Sequence, residues 1–244
     1  MSGHSKWHNI RLKKGKMDAD RGKLFTRLAR EIIVAAKGGP NPETNITLRN
    51  AIAKARQASM PQDNIKRAID RATGGGDSAA YEDLTYEGYG PGGAAVLINC
   101  WTDNKQRTVS DIRSYFNKTG GRLAESGSVA YLFHSKGVVI VDPGVSTEDK
   151  ITEAAIEGGA EDIQPTDDGG FEITTEPADL ESVQKALDDA GVAYSSAEVA
   201  MIPLNTVTVT GKEAGQVMRL LDMIEEHDDV QQVFTNADIP DDEL

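Results

Sequence analysis

The order of apolar periods between residues 137 and 201 constrains the fold of this chain more than any other sequence feature. It predicts four strands and two helices, in chain order at 137–141, 147–157, 161–165, 170–175, 178–190 and 192–201. The order strand-helix-strand-strand-helix-strand is typical of a ferredoxin-like α+β unit. We therefore expect an acidic ferredoxin-like domain at residues 136–202.

The segments on either side of this domain predict a second unit that the first one interrupts. Before it, the periods predict a strand at 94–101, a helix at 104–118 and a strand at 127–133. After it, they predict elements at 206–210, 212–226 and 230–234, in the order strand, helix, strand. Thr102-Asp103 is a capping signal for the first of these helices, and Thr210 with Glu213 forms a capping box for the second. Together these segments predict one discontinuous ferredoxin-like α+β domain at 79–135 and 203–240.

The first 78 residues differ from the rest in their apolar period. Residues 1–17 contain too few apolar positions to bury, which predicts an arm that becomes ordered on a partner. Three helices are expected next, from Asp18 to Ala36, from a start signal at Asn41-Pro42 to about Ser59, and from Pro61 to Ala72. Gly74 to Ser78 is typical of a linker. The predicted fold class is α+β, with an N-terminal helical bundle and two ferredoxin-like domains, of which the last is inserted into the middle one.

The charge is divided unevenly along the chain. The 244 residues carry a net charge of −13, yet residues 1–75 contain 16 Lys and Arg against six Asp and Glu. A segment of net charge +10 on an acidic chain is typical of a module that binds a polyanion. The alternative is a solvated basic helical surface that has no partner.

The basic residues near the N-terminus are the predicted nucleic-acid contacts. Their ammonium and guanidinium groups supply salt-dependent affinity for phosphates, and histidine can contact phosphate or base. Trp7 has two open interpretations, stacking on a base or anchoring the arm on the helices. The predicted contact residues are Lys6, Trp7, His8, Arg11, Lys13, Lys14, Lys16, Arg21, Lys23, Arg27 and Arg30.

Other classes of function find little support in the sequence. The single cysteine, Cys100, lies in an apolar strand pattern that favours packing over catalysis, and one cysteine indicates a reducing compartment. Gly88 to Gly93 fits the letters of a dinucleotide fingerprint, but it precedes a strand and contains a proline. No signal peptide, membrane span, metal-ligand cluster or catalytic constellation is evident, so we expect no enzyme activity and no cofactor.

Several long motifs resemble those of the YebC family. They are MSGHSKWHNIR at 1–11, DRGKLFT at 20–26, MPQDNIKRAI at 60–69, YEGYGPGG at 86–93, Thr102-Asp103-Asn104 with Arg107-Thr108, and GSV at 127–129. Leu12, Ser59 and Tyr131 depart from the usual family residues. The resemblance implies three domains and a cytoplasmic transcriptional regulator that binds DNA. It also implies kinship with mitochondrial translational activators and with bacterial factors that act on the ribosome.

Two hypotheses for the function remain open at this point. In the first, the arm and the basic helices bind DNA and the protein regulates transcription. In the second, the same surface binds ribosomal RNA, and the acidic domains and the 86–93 loop position a translation factor on the ribosome. A nuclease or hydrolase would require a carboxylate-metal cluster that the sequence does not offer. No membrane partner or small-molecule substrate is expected, and the absence of an Arg- and Ser-rich leader favours a cytoplasmic, bacterial-type member.

Overall fold

The computed structural model describes residues 21–73, 81–166, 168–240 and 243. These residues divide into two compact units. Residues 131–206 form one of them, which we call the inserted unit, and the other described residues form the main unit. The predicted arm at 1–17 and the predicted linker at 74–78 lie outside the described residues.

Three helices begin the main unit, as the sequence predicts. They are α1 (Arg21–Ala36), α2 (Ile46–Gln57) and α3 (Gln62–Thr73). Their apolar stripes meet in one core that contains Ile32, Leu48 and Ile65, each at most 1% exposed. Asn45 caps α2, because its side chain accepts a hydrogen bond from the backbone N–H of Leu48.

The elements after the three helices alternate between strand and helix. In chain order they are β1 (Glu82–Tyr89), β2 (Ala95–Thr102), α4 (Lys105–Thr119), β3 (Arg122–Leu123), β4 (Phe133–Val141), α5 (Glu148–Gly158), β5 (Asp162–Pro165), β6 (Phe171–Thr175), α6 (Leu180–Asp189), β7 (Ser196–Pro203), β8 (Val207–Thr208), α7 (Gly211–Glu225), β9 (Val230–Thr235) and β10 (Ala237–Asp238).

The sheet of the main unit has the strand order β3-β1-β2-β9. The sequence predicts that the segment 206–210 completes this sheet, and that prediction is wrong. The position between β2 and β3 is filled by β1, which forms an antiparallel hairpin with β2, while β8 pairs with β10 in a separate two-stranded sheet. A hairpin between neighbouring segments closes only a short loop and therefore costs little chain entropy.

The prediction of a strand at 127–133 is also wrong. Residues 127–130 lie in a turn, and a short 3-10 helix follows at Ala130–Leu132 before β4. The backbone N–H groups of Gly127, Val129 and Ala130 donate to the Glu87 carboxylate on β1. A side chain from a neighbouring strand thus provides acceptors to N–H groups that a sheet would otherwise satisfy.

A tight approach between β1 and α4 explains a glycine in β1. A Cβ atom at Gly88 would lie 2.4 Å from the Phe116 ring, which is fully buried in the core of the main unit. Any side chain at this position would therefore push α4 away from the sheet. The same core contains Ile98 of β2 and Leu220 of α7.

The inserted unit is an antiparallel sheet with helices on one face. Its strand order is β5-β6-β4-β7, and α5 and α6 pack on the sheet around Val139, Ile173 and Leu187. The helices approach closely, since a Cβ atom at Gly158 would lie 2.6 Å from the Cα of Val183. The unit is mixed α+β, as the sequence predicts.

Two predicted helix caps differ from the observed ones. The N-cap of α4 is Asn104, whose side chain accepts from the backbone N–H of Arg107, and not Thr102-Asp103. Thr210 occupies the N-cap of α7 but makes no side-chain capping hydrogen bond, so the predicted capping box is absent there. The Glu243 carboxylate instead accepts from the backbone N–H of Gly211.

Candidate nucleic-acid interface

Most of the predicted nucleic-acid contacts lie on the N-terminal arm, outside the described residues. These are Lys6, Trp7, His8, Arg11, Lys13, Lys14 and Lys16. Arg21 and Lys23 belong to the first turn of α1. Arg27 is half-buried on α1, and Arg30 lies one turn further along the helix.

Arg30 has protein partners that the sequence analysis did not anticipate. Its side chain is 14% exposed, and Nη1 lies 3.0 Å from Asp229 Oδ1. The guanidinium also donates to the backbone carbonyl of Asp228 and lies 5.5 Å from the centre of the Tyr81 ring. Arg30 therefore holds α1 against the segment before β9, and its place among the nucleic-acid contacts stays a prediction.

Asp229 is the centre of a buried cluster of polar groups. Thr108 Oγ1 donates to Asp229 Oδ2 at 2.7 Å and Thr102 Oγ1 does so at 3.1 Å. Arg107 Nη2 donates to the same oxygen at 2.8 Å. Thr102, Arg107 and Thr108 belong to one sequence motif, so the main role of this motif in the structure is to surround the Asp229 carboxylate.

The electrostatics of the cluster favour the ionised carboxylate. Burial by itself would raise the pKa of Asp229, but hydrogen bonds from Arg107, Thr108 and Thr102 and the charge of Arg30 lower this pKa below its ordinary value. His227 extends the cluster, because its Nδ1 accepts from the backbone N–H of Asp229 at 3.1 Å. Because the hydrogen-bond donors of the cluster are used by this carboxylate, we interpret the cluster as a group that stabilises the fold.

Glu87 is a second buried carboxylate of the main unit, only 3% exposed. Burial would raise its pKa, but the backbone hydrogen bonds from Val129, Gly127 and Ala130 lower the pKa of Glu87 below its ordinary value. The distances from these N–H nitrogens to the carboxylate oxygens are 2.6, 2.7 and 2.9 Å, respectively. Glu87 therefore fixes the shape of the 127–130 turn.

Exposed cationic side chains lie on the second and third helices. Arg49 and Arg56 are exposed on α2, and Lys66, Arg67 and Arg71 are exposed on α3. The predicted contact set ends at Arg30 and includes none of these five side chains. The seven-residue spacing of Arg49 and Arg56, which places both on one side of a helix, was the signal that could have found these two.

The other candidate sites have structural explanations. Cys100 is fully buried in β2, and burial with the nearby charges of Asp229 and Asp83 raises the pKa of its thiol to about 12. The loop after β1 contains a 3-10 helix at Pro91–Gly93 and leads into β2, and not into the helix that a dinucleotide fingerprint requires. Within the described ranges, no group of three or more His, Cys, Asp and Glu side chains is arranged to hold a metal ion.

No described helix combines the length and the apolar character that are needed to cross a bilayer. The described part of the chain thus consists of N-terminal helices with exposed cations, followed by two antiparallel sheets with packed helices. These features define a class of α+β protein with a basic helical N-terminal part.

Comparison with known sequences shows which family this is. The sequence profile of the TACO1/YebC protein N-terminal domain matches residues 5–75, and the profile of the TACO1/YebC second and third domain matches residues 81–237. The chain belongs to the TACO1/YebC family, which confirms the resemblance seen in its motifs.

Individual relatives match over nearly the whole chain. A protein from Moorella thermoacetica named "Probable transcriptional regulatory protein" is 55% identical over 243 residues, covering 98% of this chain and 96% of that protein. A protein of the same name from Rubrobacter xylanophilus is 53% identical over 241 residues, with 98% and 96% covered. The crystal structure of the conserved hypothetical protein Aq1575 from Aquifex aeolicus superposes with a TM-score of 0.85 at 46% identity, covering 93% of this chain and 94% of that one.

Proposed function

We propose that this protein is a non-enzymatic regulator of gene expression that binds nucleic acid through its basic N-terminal region. The uneven charge carries the proposal, since residues 1–75 hold 16 Lys and Arg against six acids. The inserted unit, by contrast, holds three Lys and Arg against 16 Asp and Glu. A polyanion is attracted to the first region and repelled by the second, which orients the protein on its partner.

The contacts in this proposal are the arm together with cations of the helices. From the arm and α1 they are Lys6, Trp7, His8, Arg11, Lys13, Lys14, Lys16, Arg21, Lys23 and Arg27. The exposed lysine and arginine side chains of α3 extend the same basic character. Arg30 belongs to the predicted set as well, and its guanidinium is also paired with Asp229.

The first candidate partner is DNA, and the role is that of a transcriptional regulator in the cytoplasm. The names of the relatives from Moorella thermoacetica and Rubrobacter xylanophilus support this role. The second candidate is ribosomal RNA, with the protein acting as a translation factor. Exposed arginines on α2 favour it, because guanidinium groups suit the unpaired bases and phosphates of folded RNA.

We also propose three domains, at 1–78, at 79–135 with 203–240, and at 136–202. The sheet order of the inserted unit, β5-β6-β4-β7, supports a ferredoxin-like arrangement for the last of these. In the middle domain, β1 takes the place that a ferredoxin-like unit gives to a later strand. The acidic inserted domain would limit non-specific adhesion of the protein to nucleic acid.

Sucrose-gradient fractionation of a cell lysate at near-physiological salt tests these alternatives. The protein is detected with an antibody, in parallel samples with and without nuclease that digests DNA. A variant with Lys13, Lys14 and Lys16 all changed to Ala serves as the comparison.

Association with DNA that is lost after nuclease treatment supports the transcriptional role. Co-migration with ribosomes that the triple variant abolishes identifies translation as the role instead. Migration as a free protein in all samples, under conditions where other nucleic-acid-binding proteins stay bound, contradicts both.

A further inference from the structure

A cavity on the N-terminal helices lies outside the predicted contact set. Its volume is about 460 Å³, and it opens between the start of α2 and the loop before that helix. The residues that line it are Pro42, Glu43, Arg49, Ile52, Ala53 and Arg56. Four of these six belong to α2 and follow the three- and four-residue spacing of one helix face.

Arg49 is held in a fixed orientation at this cavity. Its Nε donates to the backbone carbonyl of Pro42 and its Nη2 to that of Glu43, both at 3.1 Å. These bonds use two of the five N–H groups of a guanidinium, so three remain for another molecule. A cation that is oriented before binding loses less side-chain entropy when it contacts an anion.

Arg56 supplies a second cation two helical turns further along α2. It is exposed, and no hydrogen bond or ion pair of its guanidinium is found among the described residues. At a rise of about 1.5 Å per residue, the two arginine Cα atoms are about 10 Å apart along the helix axis. The cavity is therefore bordered by the positive charges of Arg49 and Arg56 and by the carboxylate of Glu43.

The floor between the two arginines is apolar and shallow. Ile52 is 6% exposed and connects the floor to the helical core, while Ala53 is exposed and has only a methyl side chain. A flat ring can lie on such a floor with its edges towards the arginines. Unpaired bases stack on guanidinium planes, and bases that have left the helix stack between aromatic or apolar side chains in protein pockets.

We propose that this cavity binds one unpaired nucleotide of a single-stranded nucleic acid, with the base on Ile52 and Ala53 and the adjoining phosphates at Arg49 and Arg56. The proposal rests on the proposed function and adds a specific chemical preference to it. Charge alone attracts single strands and duplexes alike, whereas the apolar floor is useful only for a base that has left its stack. The protein would therefore distinguish single-stranded segments from duplexes.

The test is fluorescence anisotropy with a labelled 12-nucleotide single strand and the corresponding duplex, in both RNA and DNA. Ala53→Leu fills the floor without a change of charge, and Arg56→Gln removes the positive charge at the far end of the cavity. Arg113→Gln on α4 is the matched control, because Arg113 is also exposed and carries the same charge. Circular dichroism melting of each variant checks that the helices remain folded.

Ala53→Leu is expected to weaken single-strand binding about tenfold and to leave duplex binding within about twofold. Arg56→Gln should weaken single-strand binding by a similar factor and reduce the slope of log affinity against log salt by about 0.7. Arg113→Gln should change neither. The comparison of RNA with DNA shows which polymer supplies the nucleotide.

Equal binding of the single strand by wild type and Ala53→Leu, with folding intact, overturns the proposal and leaves the proposed function in place. Equal losses on the duplex and the single strand also overturn it, since they indicate charge without base contact. A wild-type protein that binds neither form at low salt contradicts the proposed function as well.

Discussion

The main unit and the inserted unit each contain a buried carboxyl group, and the two groups differ in their hydrogen bonds and in the direction of their pKa shift. In the main unit, Asp229 is 1% exposed and receives hydrogen bonds from two threonines and an arginine. In the inserted unit, Glu172 on β6 is 4% exposed, and its Oε2 has no hydrogen-bond partner in the described structure. Burial, with the charge of Asp162, raises the pKa of Glu172 to about 8, whereas the pKa of Asp229 is lowered.

The difference in hydrogen-bond donors decides whether a buried carboxyl group stabilises or destabilises the folded state. A buried carboxylate with several donors holds neighbouring segments together, as Asp229 and Glu87 do. A buried carboxyl group without donors binds a proton or destabilises the folded state. A basic residue on a basic helix can also have a structural contact. Arg30 is an example, because its guanidinium belongs to the Asp229 cluster.

The largest effect is expected for Asp229→Ala, because it leaves the mostly buried Arg30 guanidinium without its carboxylate and removes the acceptor that Thr102, Arg107 and Thr108 share. We expect a loss of about 3–5 kcal/mol in the free energy of unfolding, measured by urea denaturation. Asp228→Ala is the control, since the Asp228 side chain is exposed and only its backbone carbonyl contacts Arg30. Equal free energies of unfolding for the two variants would mean that the contacts of the Asp229 carboxylate do not stabilise the main unit, and the contrast with Glu172 would be lost.

A smaller loss, of about 1–3 kcal/mol, is expected for Glu87→Gln, which leaves backbone N–H groups of the 127–130 turn facing an amide. The folded-state pKa of Glu87 is lowered. Its contribution is therefore complete above the ordinary carboxyl pKa and is lost as the pH falls through the folded-state value. The stability difference between wild type and variant, measured by denaturation from pH 7 to pH 3, should shrink in acid. Glu125→Gln, an exposed change nearby, should show no such trend.

The smallest expected effect is an increase, and not a loss, in the free energy of unfolding. Glu172→Gln should stabilise the protein by about 1–2 kcal/mol at pH 8.5. The folded-state pKa of about 8 lies above the ordinary value of 4.5, so wild-type stability declines as the pH rises between these values and is constant above about 8. The variant should lack this decline in denaturation experiments from pH 4 to pH 9. A destabilised Glu172→Gln, with exposed Glu153→Gln unchanged, would mean that Glu172 has a partner in the folded state.

Local periodicity predicted much of the fold. The helices and most strands follow from apolar spacing, because each buries one face. Apolar spacing does not predict β1, because its sequence, EDLTYEGY, has few buried apolar positions and ends in a glycine-rich segment. The local pattern predicts a strand at 127–133 instead of the observed turn, because the acceptor of the turn, Glu87, lies about forty residues away in the sequence.

The candidate site was less predictable than the fold. Charge counting located the basic region, but it could not show that Arg30 is paired with Asp229, which lies 199 residues further along the chain. Pairing across that distance depends on tertiary structure, which no local pattern contains. Arg49 and Arg56 could have been found by their spacing on a helix, but the fixed orientation of Arg49 depends on the carbonyls of Pro42 and Glu43.

The most direct test of the account measures nucleic-acid affinity as a function of salt for the wild type and for the variant with Lys13, Lys14 and Lys16 changed to Ala. We predict that the variant binds duplex DNA and RNA about 10- to 100-fold more weakly near 0.1 M salt. Its slope of log affinity against log salt should be smaller by about two to three units. Unchanged affinity and slope, in a variant that melts like the wild type, would contradict the claim that the basic N-terminal region is the nucleic-acid interface.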